Sequence, residues 1–86
     1  MISNKRITKL LLYAFCYDDL SFDLRITHKN NLIYVALNDM SFVVNMTLKY
    51  KHNKLYIVYY SDDNCTTRKH ETFEDYVNRL HKLNSE

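Results

Sequence analysis

Eighty-six residues with a net charge of +2, and not one glycine or proline among them, exclude most of the enzyme classes a sequence can announce. Average usage would supply roughly six glycines and four prolines. Phosphate-cradling loops, dinucleotide fingerprints and the nucleophile elbow all need backbone without a Cβ at a close approach, so this chain cannot build them.

A composition that is 47% hydrophobic and 14% aromatic is that of a folded chain, expected to form one domain over residues 1–86 with a thin core. The small positive charge does not by itself demand a nucleic acid or an anionic membrane. Cys16 and Cys65 match no disulfide framework, which predicts a reducing, cytoplasmic setting.

Residues 4–17 predict an amphipathic helix, with Ile7, Leu10, Leu11, Ala14 and Phe15 at helical spacing, Ser3 or Asn4 as N-cap, and Asp18 and Asp19 ending it. The basic start before this apolar run resembles a signal peptide. The run is too short to span a bilayer, however, and has no small-residue cleavage site. From Leu20 the period becomes two: Leu20, Phe22, Leu24 and Ile26 face one way, and Ser21, Asp23, Arg25 and Thr27 the other. Lys29-Asn30-Asn31 makes a turn, asparagine being the best substitute for glycine at positive φ.

Residues 32–37 form a second strand, apolar on both faces, and Asn38-Asp39 turns the chain again. The third strand, residues 40–51, sends Phe42, Val44, Met46, Leu48 and Tyr50 inward; Ser41, Val43, Asn45, Thr47, Lys49 and Lys51 face out. After a turn at His52-Asn53, residues 55–60 give a fourth strand, again apolar on both sides, followed by a polar loop to residue 71. The last element is a helix over residues 73–83, with Thr72 as N-cap, an Asp75–Arg79 pair at i, i+4, and an apolar stripe of Phe73, Tyr76, Val77, Leu80 and Leu83.

The order α-β-β-β-β-α with short connections implies a four-stranded antiparallel meander in a two-layer α+β fold, both helices packed on one face. Leu32, Tyr34, Ala36, Val43, Tyr56, Val58 and Tyr60 are then left on the other face, a larger apolar area than a monomer ordinarily exposes. Should the helices straddle the sheet, the same residues are ordinary core. Tyrosine suits recognition because it offers a rigid ring and one hydroxyl at small entropy cost. The expected partner-binding residues are Tyr34, Tyr56, Val58 and Tyr60, with the free edge of strand four open to a second chain or a second copy.

A nucleic-acid alternative uses the same face, with Tyr34, Tyr56 and Tyr60 stacking bases and Arg25, Lys49, Lys51 and Lys54 on phosphates. It lacks the βαββαβ order and aromatic-glycine motif of the common sheet-type RNA binder, and Asp23, Asp62 and Asp63 oppose it.

Chemistry has little foothold. Cys65 and His70, beside Asp62, Asp63 and Asn64, are too few for a structural zinc, and His28, His52 and His81 are scattered. Cys65 lies near Arg68, Lys69 and His70, which favours its thiolate, but no base and orienter accompany it. Cys16 reads as a small buried hydrophobe. The sequence therefore predicts a non-enzymatic protein-binding module with no cofactor, no metal and no catalytic residue. Nine asparagines, eight tyrosines and only two alanines have the look of an AT-rich genome. Its concrete form is thus a phage- or mobile-element-encoded inhibitor of a host defence or replication protein. Nucleic-acid binding at the hairpin of residues 49–54 is the alternative.

Overall fold

A computed structural model describes residues 2–18, 22–39, 42–62 and 71–85. Its elements are α1 (Asn4–Phe15), β1 (Asp23–Lys29), β2 (Leu32–Asp39), β3 (Phe42–Lys51), β4 (Lys54–Asp62) and α2 (Phe73–Asn84). The strands form one antiparallel sheet in the order β1-β2-β3-β4, with the helices on one face: the two-layer α+β meander that the periodicities imply. Among the described residues no helix is long and apolar enough to cross a membrane.

Two reversals meet the lack of glycine with asparagine and histidine. Asn30 and Asn31 have φ of 51° and 65°, and His52 and Asn53 have 53° and 63°. Two successive positive φ values are what a two-residue type I′ hairpin needs, since its twist matches that of the strands. The turn expected at Asn38-Asp39 is not there: β2 continues, Asn38 pairing with Val43 and Asp39 with Phe42. Asp39 is held by the Tyr17 hydroxyl, which donates to its Oδ2 at 2.7 Å. Leu20, Ser21, Met40 and Ser41, expected in strands, lie outside the described residues.

Helix α1 begins on Ser3, whose Oγ accepts from the Arg6 amide at 3.1 Å, and ends two residues earlier than expected. Cys16 turns left-handed (φ 57°, ψ 39°), and the Cys16 and Tyr17 amides donate back to the Tyr13 and Leu12 carbonyls at 3.2 and 3.0 Å. This pair of bonds is the Schellman stop, a position glycine normally fills. Side chains of α2 complete it: His81 Nδ1 donates to the Tyr13 carbonyl at 2.8 Å and Asn84 Nδ2 to the Ala14 carbonyl at 3.1 Å. Cys16 is exposed, so the sequence reading of it as core is corrected. A Cβ in the left-handed region is strained, and Cys16→Gly is expected to stabilise the fold by about 0.5–1 kcal/mol despite glycine's entropy in the unfolded chain. Urea denaturation followed by circular dichroism measures it; a lower midpoint for the variant would refute the assignment.

The core lies between the layers. Ile7, Leu11 and Ala14 from α1 and Phe73, Tyr76 and Val77 from α2 meet alternate residues of the central strands, including Val35, Leu37, Met46, Leu48 and Ile57. Tyr50 was expected inward but is 39% exposed, because it follows the last buried residue of β3 and sits at the hairpin end. Arg79 does not pair with Asp75. Its Nε and Nη2 donate to the two carboxylate oxygens of Glu71 at 3.2 and 3.1 Å, a two-pronged contact, and its guanidinium lies 5.4 Å from the centre of the Tyr76 ring.

Strand β4 departs most from simple alternation. Leu48 pairs with Ile57 but Thr47 pairs with Tyr59, so Val58 is an extra residue, a β-bulge. Inserting one residue inverts the faces beyond it. Tyr60, expected on the outer face, is therefore turned inward to 7% exposure against Tyr76, and Tyr59 is turned out.

Candidate functional site

The face of the sheet opposite the helices is built of rows read across the strands. One row is Thr27, Tyr34, Thr47 and Tyr59, in order from β1 to β4. Beside it, toward the two type I′ turns, lies Lys29, Leu32, Lys49 and Tyr56. On the other side are Arg25, Ala36, Asn45 and Ser61. Residues two apart in a strand share a face, which is why the period-two segments deliver this set.

Tyr34 and Tyr59 are 42% and 51% exposed. They stand on either side of Thr47, each its direct cross-strand partner. Between them lies a shallow trough of about 430 Å³ whose lining includes Ala36, Asn45, Thr47 and Arg25. Tyr56 and Val58 are half-buried and border a second depression of about 380 Å³ with Lys49, Lys51 and His52.

Charge on this face is one-sided. Lys49, Lys51 and Lys54 are exposed at the β3–β4 hairpin, and Lys51 and Lys54 are direct cross-strand partners. Like charges set opposite each other in a sheet repel. Lys29 is in the Lys49 row, with Leu32 between them. Asp23, one row beyond Arg25 and paired with Asn38, brings a carboxylate to this face; it is 3.9 Å from Arg25, and both side chains are largely in water. Such an ion pair contributes little.

Of the expected site residues, the structure brings Tyr34, Tyr56, Val58, Arg25, Lys49, Lys51 and Lys54 to one face and removes Tyr60 from it. The Tyr60 hydroxyl is instead 3.1 Å from that of Tyr76 in the core. Tyr59 and Lys29 join the face without having been singled out. No sequence signal distinguishes Tyr59 from Tyr60, since the bulge at Val58 decides between them. The β4 edge, expected open, is bridged at one point: the Ile57 amide donates to the Glu71 carbonyl at 2.8 Å, and Tyr56 pairs with Thr72.

Among the described residues, Cys16, His28 and His81 make contacts that tie elements together. Cys16 Sγ comes within 3.6 Å of His81 Nδ1, and the Tyr13 ring stacks on that imidazole at 3.8 Å. Nδ1 bonds a carbonyl oxygen, which can only accept, so this nitrogen carries the proton and cannot serve as base for the thiol. His28 Nε2 is 2.6 Å from Asn4 Oδ1, tying β1 to the start of α1. Among the described residues no group of three or more His, Cys, Asp or Glu could hold a metal ion. Asp63, Asn64, Cys65, Arg68, Lys69 and His70 lie outside the described residues.

No family model, curated protein or solved structure matches this chain.

Proposed function

We propose that this chain is a small non-enzymatic module that binds single-stranded nucleic acid on the open face of its sheet. One observation carries the reading: Tyr34 and Tyr59 stand exposed on the same face as Arg25, Lys29, Lys49, Lys51 and Lys54. Rings that stack on bases beside cations that track phosphates are what sequence-tolerant single-strand binding requires. The repulsion between Lys51 and Lys54 is relieved by an anion laid across them.

A protein partner, including a steric inhibitor of a host enzyme or defence complex or a second copy of the chain, is the second reading. The exposed Val43 and half-buried Leu32, Ala36 and Val58 favour it. It has lost one support, since Tyr60 is in the core, and the β4 edge it could pair along is bridged at one point by Glu71 and Thr72.

Fluorescence anisotropy of a labelled single-stranded octamer, titrated from 50 to 200 mM salt, tests the proposal. Each neutralised phosphate contributes about −0.7 to the slope of log affinity against log salt, so three to five cations predict a loss of roughly 20- to 130-fold over that range. No binding at low salt, or binding indifferent to salt, would overturn it and return the surface to a protein partner.

A further inference from the structure

We infer that the trough between Tyr34 and Tyr59 is a slot for one unstacked base, with the adjoining phosphates led toward Lys49, Lys51 and Lys54. This rests on the reading of the face as a single-strand binding surface and adds where the strand lies and what it must carry. Tyr34 on β2 and Tyr59 on β4 both pair with Thr47 on β3, so they stand two strand spacings, ~9.6 Å, apart in one row. Strand side chains rise roughly perpendicular to the sheet. Stacked rings lie ~3.4 Å apart, so one ring between two tyrosines needs ~6.8 Å and two need ~10.2 Å. At this backbone spacing a single ring has ~2.8 Å to spare, so a base entering the slot stacks closely on one tyrosine and loosely on the other.

The floor of the slot is Thr47, short enough to leave it open. Asn45 and Arg25 lie along its side, and both can bond a base edge. Thr47, Lys49 and Lys51 follow at every second position of β3, which places the two lysines ~6.7 and ~13 Å along the strand from the slot. Lys54 faces Lys51 across the hairpin, and Tyr56 faces Lys49, offering a second ring to the neighbouring base. A protein side chain can also enter such a slot. The run of cations leading out of it in one direction favours a ligand whose flat group is attached to an anionic chain.

The test compares a labelled octathymidylate with an octamer of the same phosphodiester backbone lacking all bases. The octathymidylate is expected to bind at least tenfold more tightly, both losing affinity with salt. Tyr34→Ser with Tyr59→Ser should remove that difference, a loss of roughly 10- to 100-fold for the octathymidylate, and leave the salt slope in place. Tyr34→Phe with Tyr59→Phe should keep it. Both tyrosines are surface residues, and circular dichroism confirms that each variant is folded. Lys49→Ala with Lys51→Ala should lower the slope by about 1.4 while keeping the preference for bases.

Equal, salt-dependent binding of the two octamers would overturn the slot and leave the single-strand reading standing. Failure of both to bind would overturn both. Self-association of the wild type that the Tyr→Ser pair abolishes, without oligonucleotide binding, would assign the slot to a protein side chain.

Discussion

Tyr76→Ala is expected to remove about 3–5 kcal/mol of folding stability, while Tyr76→Phe loses far less. Tyr76 is fully buried and is the largest such side chain. Its ring meets Tyr60 edge-on at 5.3 Å, lies 6.3 Å from Phe73, and carries the Arg79 guanidinium at 5.4 Å. Truncating a buried aromatic to alanine costs about 3–5 kcal/mol, through lost burial and the cavity left behind. At about 0.05–0.15 kcal/mol per residue, a chain of this length has a total stability of about 4–13 kcal/mol. The loss therefore takes from about a quarter to all of it. Removing only the hydroxyl deletes one hydrogen bond to Tyr60 and keeps the ring, at a cost of about 1–2 kcal/mol. Urea denaturation read by far-ultraviolet circular dichroism separates the two, and coincident midpoints would show that the ring does not support the core.

Stability is also expected to fall steeply above pH 10. Burial, then the hydrogen bond to Tyr60, drives the Tyr76 phenol well above its usual range. Burial likewise raises Tyr60, against the opposing effect of its bond to Tyr76, with the Asp62 carboxylate adding to the rise. Tyr17 is raised chiefly by its hydrogen bond to Asp39. In each case the folded state keeps a proton that the unfolded chain releases near pH 10.0. Below that pH both states are protonated and the stabilisation is complete. Above it the unfolded state binds fewer protons, so stability declines with rising pH until the folded-state pKa is passed. Tyr76 alone contributes about 1.4 kcal/mol per pH unit in that window, with Tyr60 acting in the same sense. Urea midpoints at pH 8, 9, 10 and 11 should be level at first and then drop, and Tyr60→Phe with Tyr76→Phe should flatten the drop. An unchanged drop in that pair would trace alkaline unfolding to other groups.

The two tyrosines at the centre of these expectations were legible to different degrees. Tyr76 falls in the apolar stripe of the last helix, where a period of 3.6 leaves one arrangement. Tyr60 does not: in the run from Leu55 to Tyr60 every residue is apolar or aromatic, so a period of two fits either face. Arg79 shows the same limit for charges. Spacing offers Asp75 one helical turn away, but Glu71, ahead of the helix, is brought within 3.1 Å because its carbonyl is pinned to β4.

Local periodicity is enough for the element order, the meander and the faces of β1 and β3, and tolerance of positive φ is enough for the turns at Asn30-Asn31 and His52-Asn53. Periodicity also placed Arg25, Lys49, Lys51, Lys54 and Tyr34 on one face, since a regular strand offers no other choice once one neighbour is fixed. Tertiary structure alone decided that Cys16 stops α1 with help from His81 and Asn84, and that Asn38 and Asp39 extend β2 rather than turn. It alone put the bulge at Val58, turning Tyr60 into the core and Tyr59 out to oppose Tyr34. Each of those outcomes depends on a contact between residues distant in the chain, and a local pattern carries no information about which distant group fills the remaining space.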